Sequence, residues 1–427
     1  MSTRFLLPFL LAIALLLPTP CIGQEAPRLV KQVVLVRHGV RSPTQSLATL
    51  QSWSRQEWPI WPVGRGQLTP RGAELVILQW QKQRAYLERL GLLPTDWKPF
   101  PLFVYADRDE RTQATAAAIL LGLLPRGPLS YAMGPAPVDP LFHPVRAGGR
   151  QLDREQVKKD ILAAANGSLK QLSRELAPRI SRLAAIAGQP GQSFCSDNHG
   201  DRNCTLATIP SEISFGSDDR TVVLKGQLGI ASSLAEILLL EYGQWPDQAA
   251  GWGRVDKRVL QEVLPVHTRV FDVVNRAPSV ASARGSLLLE ELHAALTGQT
   301  SSEAMNAASL VVFVGHDTNI ANIGALLKLH WKLPDYPRDD IPPGSCLILN
   351  LWQRGSEELV SAEFAALSLD ALHAARMPAD DLQRAHISLR HFSRTAAGSF
   401  TSETFTVGTF CPLKDFTAGV QAILDAH

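Results

Sequence analysis

Three short runs of apolar residues stand out along the chain, and each gives way to a cluster of polar residues. The runs cover residues 32–36, 102–105 and 310–314. A short continuous run of this kind is typical of a strand buried on both faces, as in a parallel sheet flanked by helices. The ends of parallel strands meet at one edge of a sheet. We therefore predict that these polar clusters line one crevice at the carboxyl ends of the strands.

Helical periodicity supplies much of the remaining fold. Thr69 and Pro70 form a typical N-cap and first helical position, and an amphipathic pattern follows to about Leu90. Proline and glycine in residues 125–149 predict a crossing between domains, and helical periodicity dominates residues 151–296. We expect an α/β protein with a mixed, mostly parallel central sheet and an inserted, smaller, mainly helical domain. The predicted parts are an α/β domain, 24–135 and 297–427, and a helical domain, 136–296.

The amino terminus predicts export. Residues 1–23 combine a basic residue, Arg4, with an apolar run from Phe5 to Leu17 and small residues at the end, which is the pattern of a secretory signal peptide. The apolar run is shorter than the roughly 20 residues that span a bilayer. We expect a periplasmic or secreted protein after removal of the signal. Cys21 leaves a lipid anchor as the alternative.

Four cysteines remain beyond the signal: Cys195, Cys204, Cys346 and Cys411. An even number in an oxidising compartment predicts disulfide bonds, and three pairings are possible. A bridge between the first two is favoured because it would close a short polar loop. The tight pair spacing of a zinc site is absent.

The overall charge narrows the class of ligand. In 427 residues, 42 basic and 40 acidic side chains leave a formal charge of +2, and 45% of the residues are hydrophobic. This is the composition of a folded protein, and lysine and arginine form no block. We therefore expect neither a nucleic-acid partner nor a membrane partner. Any anion site must be built locally from a few side chains.

The residue types in the polar clusters indicate phosphoryl chemistry. Three arginines follow the predicted strands: Arg37, Arg41 and Arg111. Their planar guanidinium groups fit the oxygens of a phosphoryl group and stay charged at any working pH. We expect them to bind a phosphorylated small molecule and to supply the positive charge that a metal ion supplies in other phosphatases. No carboxylates with metal-ligand spacing accompany them, so no metal and no cofactor is expected.

Two histidines and one aspartate complete the predicted chemistry. His38 is the candidate nucleophile, because a neutral imidazole held in line with phosphorus can form a phosphohistidine. Asp317 is the candidate proton donor to the leaving oxygen and then the base for water. His316 is expected to donate to a phosphoryl oxygen. Since Asp317 must carry a proton, the rate should favour acidic pH. The remaining histidines, His143 among them, are expected mostly at the surface.

Two segments resemble the signatures of a known family. Arg-His-Gly-Val-Arg-Ser-Pro-Thr at 37–44 and Gly-His-Asp-Thr-Asn at 315–319 are similar to the paired signatures of the histidine acid phosphatases, in the second branch of the histidine phosphatase superfamily. Similar segments follow in order along nearly the whole mature chain: 58–63, 68–72, 109–112, 210–212, 251–254 and 342–344. The chain most resembles the bacterial periplasmic phytases. This resemblance implies a phosphoglycerate-mutase-like fold and hydrolysis of myo-inositol hexakisphosphate, or phytate.

The resemblance also implies a role for individual residues. It matches His38 with the nucleophile and Asp317 with the proton donor. It matches four residues with phosphate ligands: Arg37, Arg41, Arg111 and His316. Three further positions would extend the substrate site: Thr44 beyond the first signature, Arg284 at the outer phosphates and Glu212 on the side of the helical domain. The expected protein is a monomer.

Some positions depart from the family pattern or leave choices open. Gln45 stands where close phytase relatives commonly carry lysine, which removes a positive charge, whereas Gly39 favours a phytase over a glucose-1-phosphatase. The resemblance supports the Cys195–Cys204 bridge, but it offers Cys346 no partner, so its pairing with Cys411 follows only by elimination.

The alternative function is a glucose-1-phosphatase or a broad-specificity histidine acid phosphatase. Three other classes fit less well. A secretory signal argues against a mutase, and a phosphosugar-binding protein would not need His38 and Asp317 together. A metallophosphatase would need a cluster of metal ligands, which the sequence lacks.

Overall fold

The computed structural model describes most of the chain. The described residues are 26–96, 98, 100–198, 203–216, 220–246, 248–376, 381–392 and 410–426. The predicted signal peptide, residues 1–23, lies outside them.

The described residues form ten strands in two sheets. The strands are β1 (Arg28–Arg37), β2 (Leu102–Ala106), β3 (Ala132–Met133), β4 (Ser211–Phe215), β5 (Val222–Lys225), β6 (Leu310–Gly315), β7 (Cys346–Arg354), β8 (Glu357–Leu367), β9 (Leu382–Ile387) and β10 (Cys411–Pro412). Eight of them form one sheet in the order β10-β8-β7-β1-β6-β2-β3, with β9 also paired to β8, while β4 and β5 form a separate hairpin. The neighbours β1, β6, β2 and β3 run parallel, and the β7 side is antiparallel. The predicted mixed sheet and its three adjacent strands are confirmed.

Helices separate and cover the strands. They are α1 (Leu47–Trp53), α2 (Pro70–Arg89), α3 (Glu110–Leu123), α4 (Arg154–Ala164), α5 (Leu169–Ala187), α6 (Phe194–Asp197), α7 (Gly226–Gln244), α8 (Ala250–Gly253), α9 (Lys257–Asn275), α10 (Pro278–Thr297), α11 (Glu303–Ala307), α12 (Asp317–Leu326), α13 (Leu369–His373) and α14 (Leu413–Asp425). The predicted start of α2 is confirmed, because Thr69 accepts a hydrogen bond from the Gly72 amide at the helix N-terminus. None of the described helices is long and apolar enough to cross a membrane.

The central sheet is buried on both faces. Along β1, Val34 and Val36 belong to a core that includes residues of α2 and α3, whereas Val33 and Leu35 belong to a larger core that includes α7, α9 and α10. Burial on both faces explains why β1 is a continuous apolar run instead of an alternating one. Between β3 and β6 the described chain is mainly helical, with the β4–β5 hairpin as its only strands. The bounds 136–296 for a separate domain stay a prediction.

The cysteines form one bridge. Cys195 and Cys204 are joined by a disulfide, as predicted. The expected pairing of Cys346 with Cys411 is wrong, because both thiols are free and buried. Cys346 pairs with Ala365 and Cys411 with Val360, so the two lie on opposite sides of β8 and five residues apart along it. They also belong to cores on opposite faces of the sheet, which puts their sulfur atoms beyond the reach of a disulfide.

A buried carboxyl in α7 makes stability depend on pH. Glu241 is 4% exposed, its Oε2 accepts a hydrogen bond from the Gly251 amide at 2.8 Å, and its Oε1 has no partner among the described residues. Burial raises the pKa of Glu241 to about 7. A raised folded pKa means that stability is intact below the unfolded pKa and is lost as pH rises through the folded pKa. The window for Glu241 therefore lies between about pH 4.5 and pH 7.

We expect the Glu241→Gln variant to keep the stability that the parent loses as pH rises through the pKa of Glu241. The shift corresponds to about 3 kcal/mol at pH 8, where the buried carboxylate is charged. Urea unfolding at pH 5 and pH 8 should show a stability gain for the variant over the parent at pH 8 and little difference at pH 5. Glu358→Gln, at an exposed position of β8, is the matched control and should change neither value. A gain that is equal at both pH values would contradict the assigned titration.

Candidate active site

The carboxyl ends of three adjacent strands form one edge. Arg37 at the end of β1 pairs in register with Gly315 at the end of β6, and the His38 amide donates to the Gly315 carbonyl at 3.1 Å. On the other side of β6, the Asp107 amide donates to the Val314 carbonyl at 3.0 Å. The polar clusters after β1, β2 and β6 therefore meet, as the sequence predicts.

The turn after β1 needs glycine because it packs closely on α2. A Cβ on Gly39 would lie 2.8 Å from Val76 Cγ2, and a Cβ on Gly72 would lie only 2.1 Å from the Val40 carbonyl oxygen. Both contacts are shorter than a side chain tolerates. The glycines thus let the first signature turn back over the start of α2 and fix where His38 points.

His38 lies buried with its Nε2 unprotonated. Its Nδ1 is 2.9 Å from the Gly39 carbonyl oxygen, which can only accept, so Nδ1 carries the proton and Nε2 keeps its lone pair. Burial, followed by the charges of Arg37, Arg41 and Arg111, lowers the pKa of His38 well below its ordinary value. The imidazole therefore stays neutral in acid, as a nucleophile requires.

Glu236 holds two of the arginines in place. Its Oε1 accepts from Arg37 Nη2 at 2.5 Å and from Arg41 Nη2 at 3.1 Å. Burial alone would raise the pKa of Glu236, but the charges of Arg41 and Arg37 outweigh burial and hold this pKa below its ordinary value. Arg37 also donates through Nη1 to the Ile341 carbonyl at 2.5 Å. These contacts fix both guanidinium groups before any substrate binds.

Asp317 lies at the N-terminus of α12, beside Arg37. Its Oδ2 is 3.0 Å from Arg37 Nη2, and its Oδ1 accepts from the Thr318 amide at 2.8 Å. The start of the helix is fixed by Asn319, whose Oδ1 accepts from the His316 amide at 2.9 Å. The positive end of the α12 dipole thus faces the arginine cluster and favours an anion there.

His316 connects Arg111 to a buried carboxylate. Its Nδ1 is 3.2 Å from Arg111 Nη2, and its Nε2 is 2.6 Å from Asp107 Oδ2. Arg111 can only donate and the carboxylate can only accept, so the proton of the neutral ring lies on Nε2. Burial lowers the pKa of His316, and the hydrogen bond to Asp107 opposes that change. The edge-on contact of His38 and His316, with ring centroids 5.7 Å apart, completes the cluster.

The structure corrects the expectation for His143. This side chain lies in the site, and its Nε2 is 2.9 Å from the Asp107 oxygen that also binds His316. Burial alone would raise the pKa of Asp107, but the hydrogen bonds from His143 and His316 hold it well below its ordinary value. Asp109, at the start of α3, pairs with Arg111 Nη2 at 2.6 Å. Two carboxylates therefore do accompany Arg111, and both come from the segment that follows β2.

The three less central predicted residues are Thr44, Arg284 and Glu212, and of these only Thr44 is placed near the cluster. Thr44 is exposed, and its Cγ2 and Arg111 Nη1 lie 3.4 and 3.9 Å from the Cβ position of Gly66, so it lies near Arg111. Arg284 in α10 donates to Asn275 Oδ1 at 3.3 Å. Burial lowers the pKa of Arg284 to about 10, so it remains charged. Glu212 is exposed on the β4–β5 hairpin, and the described residues show no contact between it and the cluster.

Three supporting residues were not predicted: Asp107, His143 and Glu236. Asp107 follows β2 directly and belongs to the same cluster as Arg111 in the sequence, so its position after a strand was a usable signal. Glu236 interrupts the apolar residues of α7, where a charged residue needs a partner. His143 lies in an irregular segment with no periodic signal.

The assembled groups can do one kind of chemistry well. Three guanidinium groups and a helix N-terminus surround the neutral Nε2 of His38, and a carboxyl group lies beside Arg37. Such a set binds a tetrahedral anion, attacks it and supplies a proton to the departing group.

Comparisons with known proteins agree with this chemistry. Residues 28–192 and 240–364 match the histidine phosphatase superfamily (branch 2). The chain belongs to this family. It is therefore a phosphatase, and the expectation from the two signatures is confirmed.

Several members of this family are similar to the chain over most of their length. Phytase AppA of Escherichia coli strain K12 is 36% identical over 365 residues, which cover 82% of this chain and 84% of that protein. A glucose-1-phosphatase of Salmonella typhimurium strain LT2 is 26% identical over 432 residues, 97% of each chain. The solved structure of Hafnia alvei phytase in complex with myo-inositol hexakis sulphate has a TM-score of 0.80 and 29% identity, covering 93% of this chain and 97% of that one. The predicted fold class is that of these histidine phosphatases.

Proposed function

We propose that this phosphatase hydrolyses phytate at acidic pH through a phosphohistidine on His38. The observation that carries the proposal is the neutral Nε2 of His38 among Arg37, Arg41 and Arg111. A nucleophile that stays unprotonated in acid can operate together with a proton donor that must be protonated.

The first step transfers the phosphoryl group to the enzyme. The arginines bind its oxygens, which would displace Asp317 from Arg37, and His316 donates to an oxygen when it also carries a proton on Nδ1. The lone pair of His38 Nε2 attacks phosphorus, the bond from phosphorus to the ester oxygen breaks, and the departing oxygen takes the proton of the Asp317 carboxyl group. The alcohol leaves, and the phosphoryl group remains on His38.

The second step returns the enzyme to its starting state. Water attacks phosphorus and gives its proton to the Asp317 carboxylate, the phosphorus–nitrogen bond breaks, and inorganic phosphate leaves. His38 is again neutral, because its Nδ1 proton stayed in the hydrogen bond to the Gly39 carbonyl throughout. Glu236 and Asp107 position the charged groups in both steps.

Phytate is the proposed substrate because the relatives and the residues around the cluster favour a polyanion. Two of the relatives described above are phytases, and one of them binds a hexasulphate of inositol. Arg284 is a half-buried cation whose contact in the described residues is the neutral Asn275 side chain. We propose that Arg284 and Thr44 contact outer phosphates of the substrate, with Glu212 at the edge of the same cleft.

Glucose 1-phosphate is the second candidate. The relative that covers 97% of the chain is a glucose-1-phosphatase. Gln45 also places a neutral side chain close to the first signature, among residues that line a cavity with a volume of about 870 Å³. A substrate with one phosphate needs fewer cations than phytate does.

Specificity constants decide between these substrates. We expect kcat/KM at acidic pH to be higher for phytate than for glucose 1-phosphate. Arg284→Met should lower kcat/KM for phytate about 10- to 100-fold, because a hydrogen bond to a charged group is worth roughly 1.5–3 kcal/mol, and should leave glucose 1-phosphate nearly unchanged. A preference of the parent enzyme for glucose 1-phosphate would favour the second candidate. An equal loss for both substrates would contradict the role of Arg284.

Three further properties belong to the same proposal. We propose a monomer that acts in the periplasm or outside the cell after removal of residues 1–23. The helical segment 136–296 would form one wall of the substrate cleft, and the carboxyl edge of the sheet would form the other.

A further inference from the structure

Asp107, Asp109, His143 and His316 form a second constellation beside the arginine cluster. One ligand atom from each lies within 4.8 Å of the others. Two imidazole nitrogens, His143 Nε2 and His316 Nε2, approach the same Asp107 oxygen at 2.9 and 2.6 Å. Asp109 Oδ2 is 3.8 Å from His316 Nε2. The phosphoryl transfer proposed above uses only His316 of these four as a substrate ligand.

We propose that these four side chains bind a divalent transition metal of the zinc type and that the bound metal inhibits the phosphatase. Two imidazoles and two carboxylates form a mixed nitrogen and oxygen set, which suits Zn²⁺ and fits the oxygen-preferring Mg²⁺ poorly. Four ligands at tetrahedral zinc lie about 3.3 Å from one another. The four atoms therefore need only small movements to surround one ion.

The positions of the four residues allow these movements and give the ion a way in. The Asp107 and His316 side chains are 2% and 5% exposed and form a fixed floor. His143 and Asp109 are 17% and 34% exposed, so they can adjust as the ion enters from solvent. The four residues come from three separate parts of the chain, which explains why no spacing in the sequence reveals the site.

Metal binding here would inhibit because it uses groups that hold the phosphate ligands. Asp109 pairs with Arg111 at 2.6 Å, and a metal would take that carboxylate away. The metal would also bind His316 Nε2 in place of its proton, which would move to Nδ1, so Arg111 would lose the hydrogen bond that it donates to His316 as well. Both changes weaken binding of the phosphoryl group. The inhibition rests on the proposed function, whereas the binding of the metal does not.

The test measures binding and activity separately. Co²⁺ titrated into the protein should produce the visible d–d absorption of a tetrahedral site, and Zn²⁺ should remove it. Activity is measured near neutral pH with 4-nitrophenyl phosphate, because phytate itself binds metals. Zn²⁺ should inhibit, EDTA should restore the rate, and Mg²⁺ at the same concentration should have no effect. Every rate is compared with the uninhibited rate of the same variant.

Two histidine variants make the test specific. His143→Gln keeps an amide nitrogen that can donate to Asp107 but removes one imidazole ligand. It should lose the Co²⁺ absorption and raise the Zn²⁺ concentration for half-inhibition at least about tenfold. His330→Gln is the matched control, because His330 pairs with Asp339 at 2.7 Å as a single imidazole; it should behave as the parent. Absence of the Co²⁺ absorption in the parent, or equal inhibition of parent and His143→Gln, would overturn the proposal. Co²⁺ binding by a protein without phosphatase activity would support the site and count against the function alone.

Discussion

His38→Ala should abolish turnover of every phosphomonoester. The variant keeps Arg37, Arg41 and Arg111 but loses the nitrogen that attacks phosphorus, and a water molecule in its place lacks a base with the same alignment. Loss of a nucleophile that forms a covalent intermediate lowers kcat on the order of 10⁴-fold or more. Steady-state release of inorganic phosphate from phytate and from 4-nitrophenyl phosphate measures the effect. Residual turnover within tenfold of the parent would contradict the covalent mechanism.

A binding measurement separates lost chemistry from lost structure. The arginines remain fixed by Glu236 in the variant, so His38→Ala should still bind myo-inositol hexakis sulphate. The parent enzyme, mixed rapidly with a substrate that carries a labelled phosphoryl group and stopped in alkali, should retain label, since phosphohistidine survives in base. The variant should retain none. A variant that turns over no substrate and binds no sulphate analogue has failed to fold, and His38→Asn then repeats the measurement.

The parts of the site that follow strands could be predicted from the sequence. A strand buried on both faces must be a continuous apolar run, and the residues that follow such a strand lie at the edge of the sheet. The runs of β1 and β6 therefore indicate that Arg37 and His316 are neighbours. The resemblance of the two signatures then supplies the roles that we propose for these residues. The fold class follows from the same observation, because parallel strands require helices between them.

The supporting residues could not be predicted because their partners are distant in the chain. Glu236 faces Arg37 from a helix 199 residues away, and only the packing of α7 on the sheet makes that contact. His143 reaches Asp107 from an irregular segment whose path no periodicity determines. The error for Cys346 and Cys411 has the same origin: pairing by elimination ignores which face of a sheet each residue occupies.

Asp317→Asn should slow phosphoryl transfer to His38 in proportion to the need of the leaving group for a proton. The amide keeps the shape of the side chain and its Oδ1 contact with the Thr318 amide, but it has no acidic proton. A general acid contributes typically 10²- to 10⁴-fold. We expect a loss of about that size in kcat/KM for phytate, whose inositol oxygen is a poor leaving group. For 4-nitrophenyl phosphate the loss should be much smaller, because nitrophenolate leaves without protonation.

The choice of kcat/KM decides what this comparison reports. The value of kcat/KM depends only on steps up to the first irreversible one. The later attack of water on the phosphohistidine, in which Asp317 acts as base, therefore does not affect it. The substituted amide also lacks the charge that pairs with Arg37, and a change from that source would alter both substrates alike. A loss that depends on the leaving group therefore identifies proton donation, whereas an equal loss assigns Asp317 to holding Arg37 and requires another acid.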